Sequence, residues 1–334
     1  MTIAVIIPAY NVEQYVGLCL ESVLAQTYPD FRVYIMDDGS SDNTGKVIQK
    51  YAQKDKRILA FTHKNQGVTK TRNALLDKLD DEIDFVFYLD ADDFIHPQTF
   101  ECLMCYMDKF SADVVEGSMR RVAFDETKIP HEKLVFPRPE WGVLPDMDIF
   151  WSNKTRQGYW ITIWNKLYRW KSIQDFRFSE KLAYEEDYFY SCQINAHIQK
   201  KVLIPDVIYF YRKNPTSVNG KINFEKYLRC AINRIQLCID TFLIPQRVPR
   251  PYLEAYQKDL ALDAYRMILR KNLKKNSDKK QSRLLFHQSV EAIQKFQKQK
   301  TVDFSHLPFL KRMAIKSCCH HWYGLTKMLV YLAG

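Results

Sequence analysis

The first part of the chain alternates between two kinds of segment, and this alternation limits the fold more than any other feature. One kind is a short apolar run, and the other carries apolar residues at helical spacing. The apolar runs are Ile3–Pro8, Phe31–Met36, Arg57–Thr62 and Asp84–Leu89. The helical segments between them are Glu13–Gln26, Asp42–Asp55 and Thr69–Leu79. Because buried strands that alternate with amphipathic helices form βαβ units, the pattern predicts an α/β fold with a mostly parallel sheet and right-handed crossovers.

A polar cluster follows each of the four predicted strands. The clusters are Pro8–Asn11, Asp37–Ser40, His63–Gly67 and Asp90–Asp93. In an open α/β sheet, ligands bind beyond the carboxyl ends of the strands. The architecture therefore predicts that the four clusters meet along one edge of the sheet, called the carboxyl edge below, although they are far apart in sequence.

The segment Asp90–Asp93, called the acidic loop below, places three carboxylates directly behind an apolar run. Two interpretations stay open: a solvated turn that caps the next helix, or a divalent cation site. An EF-hand is excluded because Phe94 and Ile95 stand where its loop needs a ligand and a glycine. The chain also contains no GxxxxGK[ST] motif. In the cation interpretation, Asp90 and Asp92 offer the oxygen ligands that Mg²⁺ and Mn²⁺ prefer, and the cation neutralises a diphosphate leaving group.

The other clusters contain residue types that suit a nucleotide. The ring of Tyr10 can lie against a base, and the carboxylate of Asp38 can accept a hydrogen bond from a base N–H group. Its neighbour Asp37 is expected to cap the following helix. Lys64 and Arg72 offer positive charge to phosphates. The alternatives are a core position for Tyr10 and ordinary solvated charges for Lys64 and Arg72.

The net charge of +10 belongs to the C-terminal third of the chain. Residues 250–334 contain 17 Lys/Arg and 6 Asp/Glu, whereas residues 1–249 contain 32 and 33. A localised basic region indicates an anionic partner. No nucleic-acid-binding module is recognisable, so a membrane surface is the preferred partner. Residues 305–334 mix basic and apolar side chains and predict an amphipathic helix in a bilayer interface; the alternative is a helix packed on protein.

The eight cysteines are scattered, and the adjacent pair Cys318 and Cys319 is awkward for a disulfide framework, so we interpret them as reduced thiols in a cytosolic protein. A zinc site at Cys318–His321 is a weaker alternative. The N-terminus lacks the basic and long apolar regions of a signal peptide, and no window has 18 consecutive apolar residues. We therefore expect a cytoplasmic protein without a membrane-spanning helix.

Seven sequence strings, in order along the chain, resemble the motifs of family 2 glycosyltransferases, which are inverting enzymes with a GT-A fold. The strings are VIIPAYN (5–11), LESVLAQTYPDFRVYIMDDGSSDNT (20–44), NQGVTKTRN (65–73), FYLDADD (87–93), WNKLYR (164–169), YEEDYFY (184–190) and YFYRKNPTSV (209–218). The resemblance covers about residues 3–220. It implies a GT-A domain over residues 1–223, with a nucleotide-binding half at about 1–95 and an acceptor half at about 96–223. Residues 224–334 then form a basic helical region.

The resemblance implies a nucleotide site, usually for a uridine nucleotide, at the carboxyl edge. The base site involves Pro8, Ala9, Tyr10, Asn11 and Asp38. The ribose and phosphates lie near Asn65, Gly67, Arg72, Asp90 and Ala91. Asp90 and Asp92 correspond to the family's DxD motif for Mn²⁺ or Mg²⁺, with Asp92 as the direct ligand.

The resemblance also implies a general base. Asp187 matches the acid of the family's ED pair, and Glu186 is the second choice because Glu185 doubles the motif locally. The base removes a proton from an acceptor hydroxyl, whose oxygen attacks the anomeric carbon from the face opposite the diphosphate. The alternative for these acids is a solvated helix start stabilised by the helix dipole.

Aromatic residues before the ED pair offer an acceptor platform. Trp160, Trp164 and Tyr168 share one face if their segment is helical, and aromatic rings stack on sugars. Packing in the core is an equally good explanation for them.

These expectations describe a glycosyltransferase at the inner face of the cell membrane. Its donor is expected to be a UDP-hexose or UDP-N-acetylhexosamine, and its acceptor a saccharide or lipid-linked saccharide in capsule, lipopolysaccharide or exopolysaccharide assembly. Two alternatives remain open. One is a non-catalytic glycan- or membrane-binding protein on a transferase scaffold. The other is a sugar-phosphate nucleotidyltransferase, which would have a glycine-rich loop after the first strand.

Overall fold

The computed structural model describes most of the first 212 residues and parts of the remainder. The described residues are 1–130, 132–136, 143–144, 162–182, 184, 186–212, 224–238, 240–241, 309–319 and the single positions 287, 290, 291, 294, 326, 328 and 329. The chain divides into two compact units. The first contains residues 1–180 and 186–215, and the second contains 181–185 and 216–334. The division expected at residue 223 stays a prediction.

One mixed sheet organises the first unit, and nine of its strands lie within the described residues. They are β1 (Thr2–Ala9), β2 (Phe31–Asp37), β3 (Ile58–Thr62), β4 (Ile83–Tyr88), β5 (Phe94–Ile95), β6 (Val114–Val122), β7 (Val143–Leu144), β8 (Lys166–Arg169) and β9 (Lys201–Arg212). Their order is β3-β2-β1-β4-β8-β6-β9-β5, and β7 pairs with β9. Strands β1 to β4 are parallel, as the sequence predicts, whereas β8 runs antiparallel to both β4 and β6.

Eight helices accompany these strands within the described residues. They are α1 (Val16–Leu24), α2 (Thr44–Lys54), α3 (Val68–Leu76), α4 (Thr99–Phe110), α5 (Trp170–Ile173), α6 (Glu186–Asn195), α7 (Phe224–Cys238) and α8 (Phe309–Cys319). The helices after β1, β2 and β3 are those that the periodicity predicts, and each of them ends earlier than predicted. Helices α7 and α8 belong to the second unit, and most of the rest of the predicted helical region lies outside the described residues.

The sheet is covered on both faces, which explains why its strands read as continuous apolar runs. Ile3, Val5 and Ile7 point into one core cluster with side chains of α1, α2 and α4. Ala4 and Ile6 point into a second cluster with side chains of α3, α5 and α6. Each large aliphatic side chain buried here stabilises the fold by about 1.5–3 kcal/mol. The strands between these layers hold the loops of the carboxyl edge in fixed positions.

The segment around Trp164–Tyr168 is not helical, so the condition for a shared aromatic face is not met. The segment turns at Asn165, which has a φ of 58°, and continues as strand β8. Strand β8 pairs Lys166 with Glu116 of β6 and Tyr168 with Val86 of β4. Pairing with two neighbouring strands satisfies the backbone of this segment and overrides its apparent helical spacing.

Candidate active site

The loops after β1 and β2 are locked together by side-chain hydrogen bonds. Asn11 has a φ of 51°, and its backbone N–H donates to Ser40 Oγ at 2.9 Å. Its side-chain Oδ1 accepts from the backbone N–H of Ser41 at 2.9 Å. The ring of Tyr10 remains 49% exposed beside this junction, so the core alternative for Tyr10 is wrong. Pro8 is half-buried and Ala9 is buried at the end of β1.

Asp37 has a different role from the helix cap expected for it. Its Oδ1 accepts from the backbone N–H of Ser40 at 3.0 Å and so closes the turn after β2. The first turn of α2 is served by Asp42, whose Oδ1 accepts from the N–H of Thr44 at 2.9 Å. Asp42 lies closer in sequence to the start of α2 than Asp37 does, so its side chain reaches the first free N–H groups of the helix more easily.

Asp38 organises the loop after β3. The side chain is buried, and its Oδ1 lies 2.8 Å from the backbone N of Gln66 and 2.9 Å from Nε2 of His63. Its Oδ2 accepts from the N–H of Gly67 at 2.9 Å. Gly67 has a φ of 88°, which a glycine adopts without strain. The carboxylate expected to face a base therefore has both oxygens engaged by the protein.

The same loop leaves two predicted nucleotide contacts open to solvent. Asn65 and Lys64 are both exposed at the carboxyl edge. The backbone of this loop passes close to Gly39, because a Cβ added at Gly39 would lie 2.6 Å from the backbone N of Asn65. Gly39 also has a φ of 69°, so this contact between the two loops requires glycine.

The acidic loop follows β4 at the same edge. Asp90 keeps 31% of its side chain exposed, Asp92 is half-buried, and Ala91 and Asp93 are buried. Two carboxylates with access to solvent suit a hard cation that completes its shell with water and phosphate oxygens. Within the described residues, no group of three or more acidic, histidine or cysteine side chains forms a ready-made metal site.

Arg72 brings the acidic loop and the ED pair together. Its side chain is only 5% exposed, and Nη2 lies 3.0 Å from Oδ1 of Asp90. Nη1 lies 2.7 Å from Oδ1 of Asp187 and 3.0 Å from Oε1 of Glu186. The alternative of a solvated helix charge is therefore wrong for Arg72. Burial lowers its pKa, but the three carboxylates outweigh that effect and raise it above the ordinary value.

Helix α6 begins at Glu186, so both acids lie in its first turn, where the helix dipole favours negative charge. They are not merely solvated, because Glu186 and Asp187 expose only 13% and 25% of their side chains. Burial raises the pKa of Asp187 to about 8; Arg72 opposes this rise, and Glu186 adds to it. A carboxylate of this kind accepts a proton near neutral pH, as a general base must. Glu185 lies outside the described residues.

Trp164 belongs to the core. It is 7% exposed, and its ring stacks on Tyr209 at 4.8 Å and on Tyr211 at 5.6 Å between centroids. The structure therefore favours the core-packing alternative over an acceptor platform for Trp164. Trp160 lies outside the described residues.

A buried charge cluster below this edge was not anticipated. Glu116 of β6 contacts Lys201 at 2.8 Å and Lys166 at 3.6 Å. All three side chains are at most 3% exposed. Burial lowers the pKa of Lys166 to about 7, with Glu116 opposing and Lys201 adding to the effect. Lys166 lies in the string WNKLYR, which was the only sequence signal for the cluster.

In the second unit, α8 has one buried and one basic side. Ala314 and Ile315 are buried, whereas Arg312 and Lys316 are exposed. Leu310 is 37% exposed on the same helix. Among the described residues, no helix has the length and apolar character needed to cross a membrane.

Comparison with known proteins identifies the family of this fold and site. The family model described as Glycosyl transferase family 2 matches residues 4–174, just over half of the chain. The chain belongs to glycosyl transferase family 2. The match includes the loops after β1 to β4 and strand β8, whereas α6 with the ED pair follows it.

Curated relatives are similar over about two thirds of this chain. Glycosyltransferase GlyA of Streptococcus pneumoniae is 25% identical over 69% of this chain and 33% of its own length. EpsJ of Bacillus subtilis, an uncharacterized glycosyltransferase, is 24% identical over 65% of this chain and 62% of its own length. TarS of Staphylococcus aureus, a poly(ribitol-phosphate) beta-N-acetylglucosaminyltransferase, is 27% identical over 63% of this chain and 35% of its own length. The chain therefore spans between a third and two thirds of the length of these relatives.

A solved structure supports the GT-A fold. Residues 1–349 of S. aureus TarS in complex with UDP-GlcNAc superpose with a TM-score of 0.70 at 19% identity. The match covers 99% of this chain and 91% of that one. At this identity the likeness concerns the fold alone.

Proposed function

We propose that this protein transfers a sugar from a UDP-sugar to a hydroxyl of a saccharide or lipid-linked saccharide, with inversion at the anomeric carbon. The observation that carries the proposal is the junction at Arg72, where the acidic loop and the ED pair come within hydrogen-bond distance of one guanidinium. Family membership supplies the reaction class. A transferase needs a donor diphosphate site and a base in one place, and this junction brings together the residues that we propose for these two roles.

The donor is proposed to bind across the loops of the carboxyl edge. The exposed ring of Tyr10 offers a stacking surface for a base, and Asn65 and Lys64 offer polar contacts beside it. Pro8, Ala9 and Asn11 shape the same loop, and Asp38 holds the loop after β3 in place through Gly67. UDP-GlcNAc is the first donor to test, because the structurally similar TarS fragment binds it.

The carboxylates of Asp90 and Asp92 are proposed to hold Mn²⁺ or Mg²⁺. When bound, such a cation stabilises the negative charge that grows on the departing diphosphate. A distant structural neighbour, the mannosyltransferase PcManGT of Pyrobaculum calidifontis, was solved with GDP-Man and Mn²⁺. Asp90 Oδ1 also accepts from Arg72, so this arginine steadies one cation ligand from the protein side.

Asp187 is proposed to be the general base, with Glu186 as its neighbour in the same ion-pair cluster. Oδ1 of Asp187 contacts Arg72, and the side chain keeps a quarter of its surface open. The carboxylate removes the hydroxyl proton of the acceptor while the hydroxyl oxygen forms a bond to the anomeric carbon. The bond from that carbon to the diphosphate oxygen breaks, and UDP leaves from the opposite face. A positioned base contributes about 10²–10⁴-fold to the rate.

The acceptor is proposed to belong to bacterial surface-glycan assembly, because the TarS relative acts on poly(ribitol-phosphate). A lipid-linked acceptor would place the protein at the inner face of the cell membrane. The exposed cations of α8 support that location.

A binding experiment tests the donor site first. Thermal stability is measured with UDP, UDP-GlcNAc and other UDP-sugars, each with and without Mn²⁺. A ligand at about a hundred times its Kd raises the free energy of unfolding by roughly 2.7 kcal/mol. We expect a metal-dependent shift with UDP that Asp92→Ala abolishes. The matched control is Asp81→Ala, which removes an exposed carboxylate far from the acidic loop in the fold.

A second measurement separates the transferase from its two rivals. Slow Mn²⁺-dependent release of UDP from the bound UDP-sugar, lost in Asp187→Asn, indicates catalysis. Binding without any release over long incubation favours a non-catalytic glycan-binding protein. Formation of a UDP-sugar from UTP and a sugar 1-phosphate indicates a nucleotidyltransferase instead.

A further inference from the structure

The last part of strand β9 holds the acidic loop through buried polar contacts. Asp93 is 1% exposed, and its Oδ1 accepts from the backbone N–H of Arg212 at 2.7 Å. Its Oδ2 accepts from the hydroxyl of Tyr209 at 2.7 Å. The third aspartate of the loop therefore points away from the solvent-accessible carboxylates of Asp90 and Asp92, into the sheet. It is an anchor of the loop and does not face the donor.

The same tyrosine also contacts the start of the loop. The hydroxyl oxygen of Tyr209 accepts from the backbone N–H of Asp90 at 3.3 Å while its hydrogen is donated to Asp93. The ring of Tyr209 is buried and stacks on Trp164. Because that stacking fixes the ring, the hydroxyl group is fixed too, and it ties the first and last residues of the acidic loop together.

Arg212 holds the middle of the loop. Its side chain is buried, and Nε donates to the backbone carbonyl of Asp92 at 2.8 Å. Nη1 donates to the carbonyls of Phe124 at 2.9 Å and Glu126 at 2.6 Å. The guanidinium also lies over the ring of Phe94, 5.4 Å from its centroid. The planar guanidinium is held in one orientation by these hydrogen bonds, and it therefore also holds the carbonyl of Asp92 in one orientation.

These contacts reach the backbone N–H of Asp90 and the backbone carbonyl of Asp92, the two proposed cation ligands. The direction of a side chain follows from the orientation of its own peptide groups, so the N–H of Asp90 and the carbonyl of Asp92 determine where the two carboxylates point. The buried positive charge of Arg212 lies beside the acidic loop and reduces the repulsion between its carboxylates before any cation arrives. A loop held in this way needs little rearrangement to bind a cation.

We propose that Asp93, Tyr209 and Arg212 are positioning residues that keep Asp90 and Asp92 in cation-binding geometry. The inference rests on the proposed function, because it assigns a purpose to the cation site of that function. These three residues touch neither donor nor acceptor in this assignment. They set the affinity of the loop for Mn²⁺ or Mg²⁺ through the backbone.

The experiment measures how much Mn²⁺ is needed for UDP binding. Isothermal titration with UDP over a series of Mn²⁺ concentrations gives the half-saturating concentration for the full chain and for Arg212→Lys and Tyr209→Phe. Arg212→Lys keeps the charge but loses the planar fork, and Tyr209→Phe removes one hydroxyl. Changes to partners of metal ligands typically cost about 10–100-fold in metal affinity, so we expect the half-saturating Mn²⁺ concentration to rise by that factor.

The matched control is Arg169→Lys. Arg169 also donates to a backbone carbonyl, that of Ala112 at 3.2 Å, and lies over the ring of Phe85 at 5.2 Å. It pairs with Phe85 near the amino end of β4, away from the acidic loop. This variant should lose stability for the same kind of reason as Arg212→Lys. Its half-saturating Mn²⁺ concentration, however, should equal that of the unchanged protein.

Rates complete the test. Excess Mn²⁺ should restore most of kcat for UDP-sugar turnover in Arg212→Lys and Tyr209→Phe, whereas Asp92→Ala should stay inactive at every concentration. Variants that melt earlier but require no more Mn²⁺ than the unchanged protein would overturn the inference and leave a structural role. Failure of the unchanged protein to bind UDP with Mn²⁺ would instead overturn the proposed function.

Discussion

Arg72 carries one positive charge against three carboxylates, and the balance among these four groups governs the acid–base behaviour of the site. The carboxylate of Asp187 lies 2.7 Å from the guanidinium, and Asp90 and Glu186 both lie at 3.0 Å. A carboxylate beside like charges is protonated more readily, and a nearby cation opposes this. Arg72 thus opposes protonation of Asp187, the proposed base.

The first prediction concerns Arg72→Gln. Burial raises the pKa of Asp187 to about 8 although Arg72 opposes the rise, so removing Arg72 should raise this pKa further. A base works only when deprotonated, and kcat/KM is therefore lost as pH falls through its pKa. The acidic limb of the profile of kcat/KM against pH should move to higher pH in Arg72→Gln. The matched control is Lys70→Gln, because Lys70 lies on the same helix but pairs with Glu180. This control should leave the acidic limb at the same pH. An unshifted acidic limb in Arg72→Gln would mean that Asp187 is not the base.

The second prediction concerns Asp187→Asn. The amide has the shape of the carboxylate but cannot accept the proton, so turnover should fall by about 10²–10⁴-fold. Donor binding should persist, because no donor contact is assigned to Asp187. Titration with UDP and Mn²⁺ should give a Kd within a few-fold of the unchanged protein. A variant that retains full turnover would transfer the role to Glu186, and Glu186→Gln would then show the loss.

At the scale of elements, strands β6, β8 and β9 meet at a buried cluster of charged side chains. Lys166 and Lys201 both contact the carboxylate of Glu116. Lys166 also donates to the carbonyl of Thr162 at 2.7 Å, which holds the turn before β8. Burying an ammonium group is costly, and the depressed pKa of Lys166, about 7, reflects that cost.

The third prediction follows from this depressed pKa. Above about pH 7 the folded protein holds Lys166 neutral, whereas the unfolded chain keeps the proton up to its ordinary pKa of 10.5. The unfolded state therefore binds more protons in this window, and stability rises with pH by at most about 1.4 kcal/mol per unit. The unfolding free energy of the unchanged protein should therefore rise from pH 7 to pH 10 relative to that of Lys166→Met. Urea titrations at several pH values measure it, and a constant difference would contradict the assignment.

The elements differ in how far the sequence determines them. Strands β1 to β4 and helices α1 to α3 follow from periodicity, because each element buries its own apolar face. Strand β8 does not, since Trp164 and Tyr168 are spaced as on a helix and only pairing with β4 and β6 settles the backbone. The site shows the same division: Asp90 and Asp92 are visible in sequence, but Arg72 meets Asp187 across 115 residues. Contacts at such separation depend on tertiary packing, which local pattern does not encode.

At the scale of the whole molecule, positive charge is concentrated in the part of the chain outside the active-site unit. Residues 250–334 contain 17 basic and 6 acidic side chains, whereas residues 1–249 are nearly balanced. On α8, Arg312 and Lys316 are exposed beside the partly exposed Leu310. Cations next to apolar surface favour an anionic bilayer interface, where each contributes about 1 kcal/mol.

The last prediction is that charge reversal on α8 weakens binding to anionic vesicles. The variant replaces Lys311, Arg312 and Lys316 together by glutamate. Sedimentation with phosphatidylserine-containing vesicles should show strong binding of the unchanged protein, little binding of the variant, and a decline for both with added salt, because salt screens charges at a surface. The matched control reverses three exposed lysines on α2: Lys46, Lys50 and Lys54. Equal sedimentation of both triple variants would mean that binding follows net charge alone. Equal sedimentation of the α8 variant and the unchanged protein would mean that α8 packs on protein. That result would refute the membrane surface as a partner, but it would not affect the proposed donor site of the first unit.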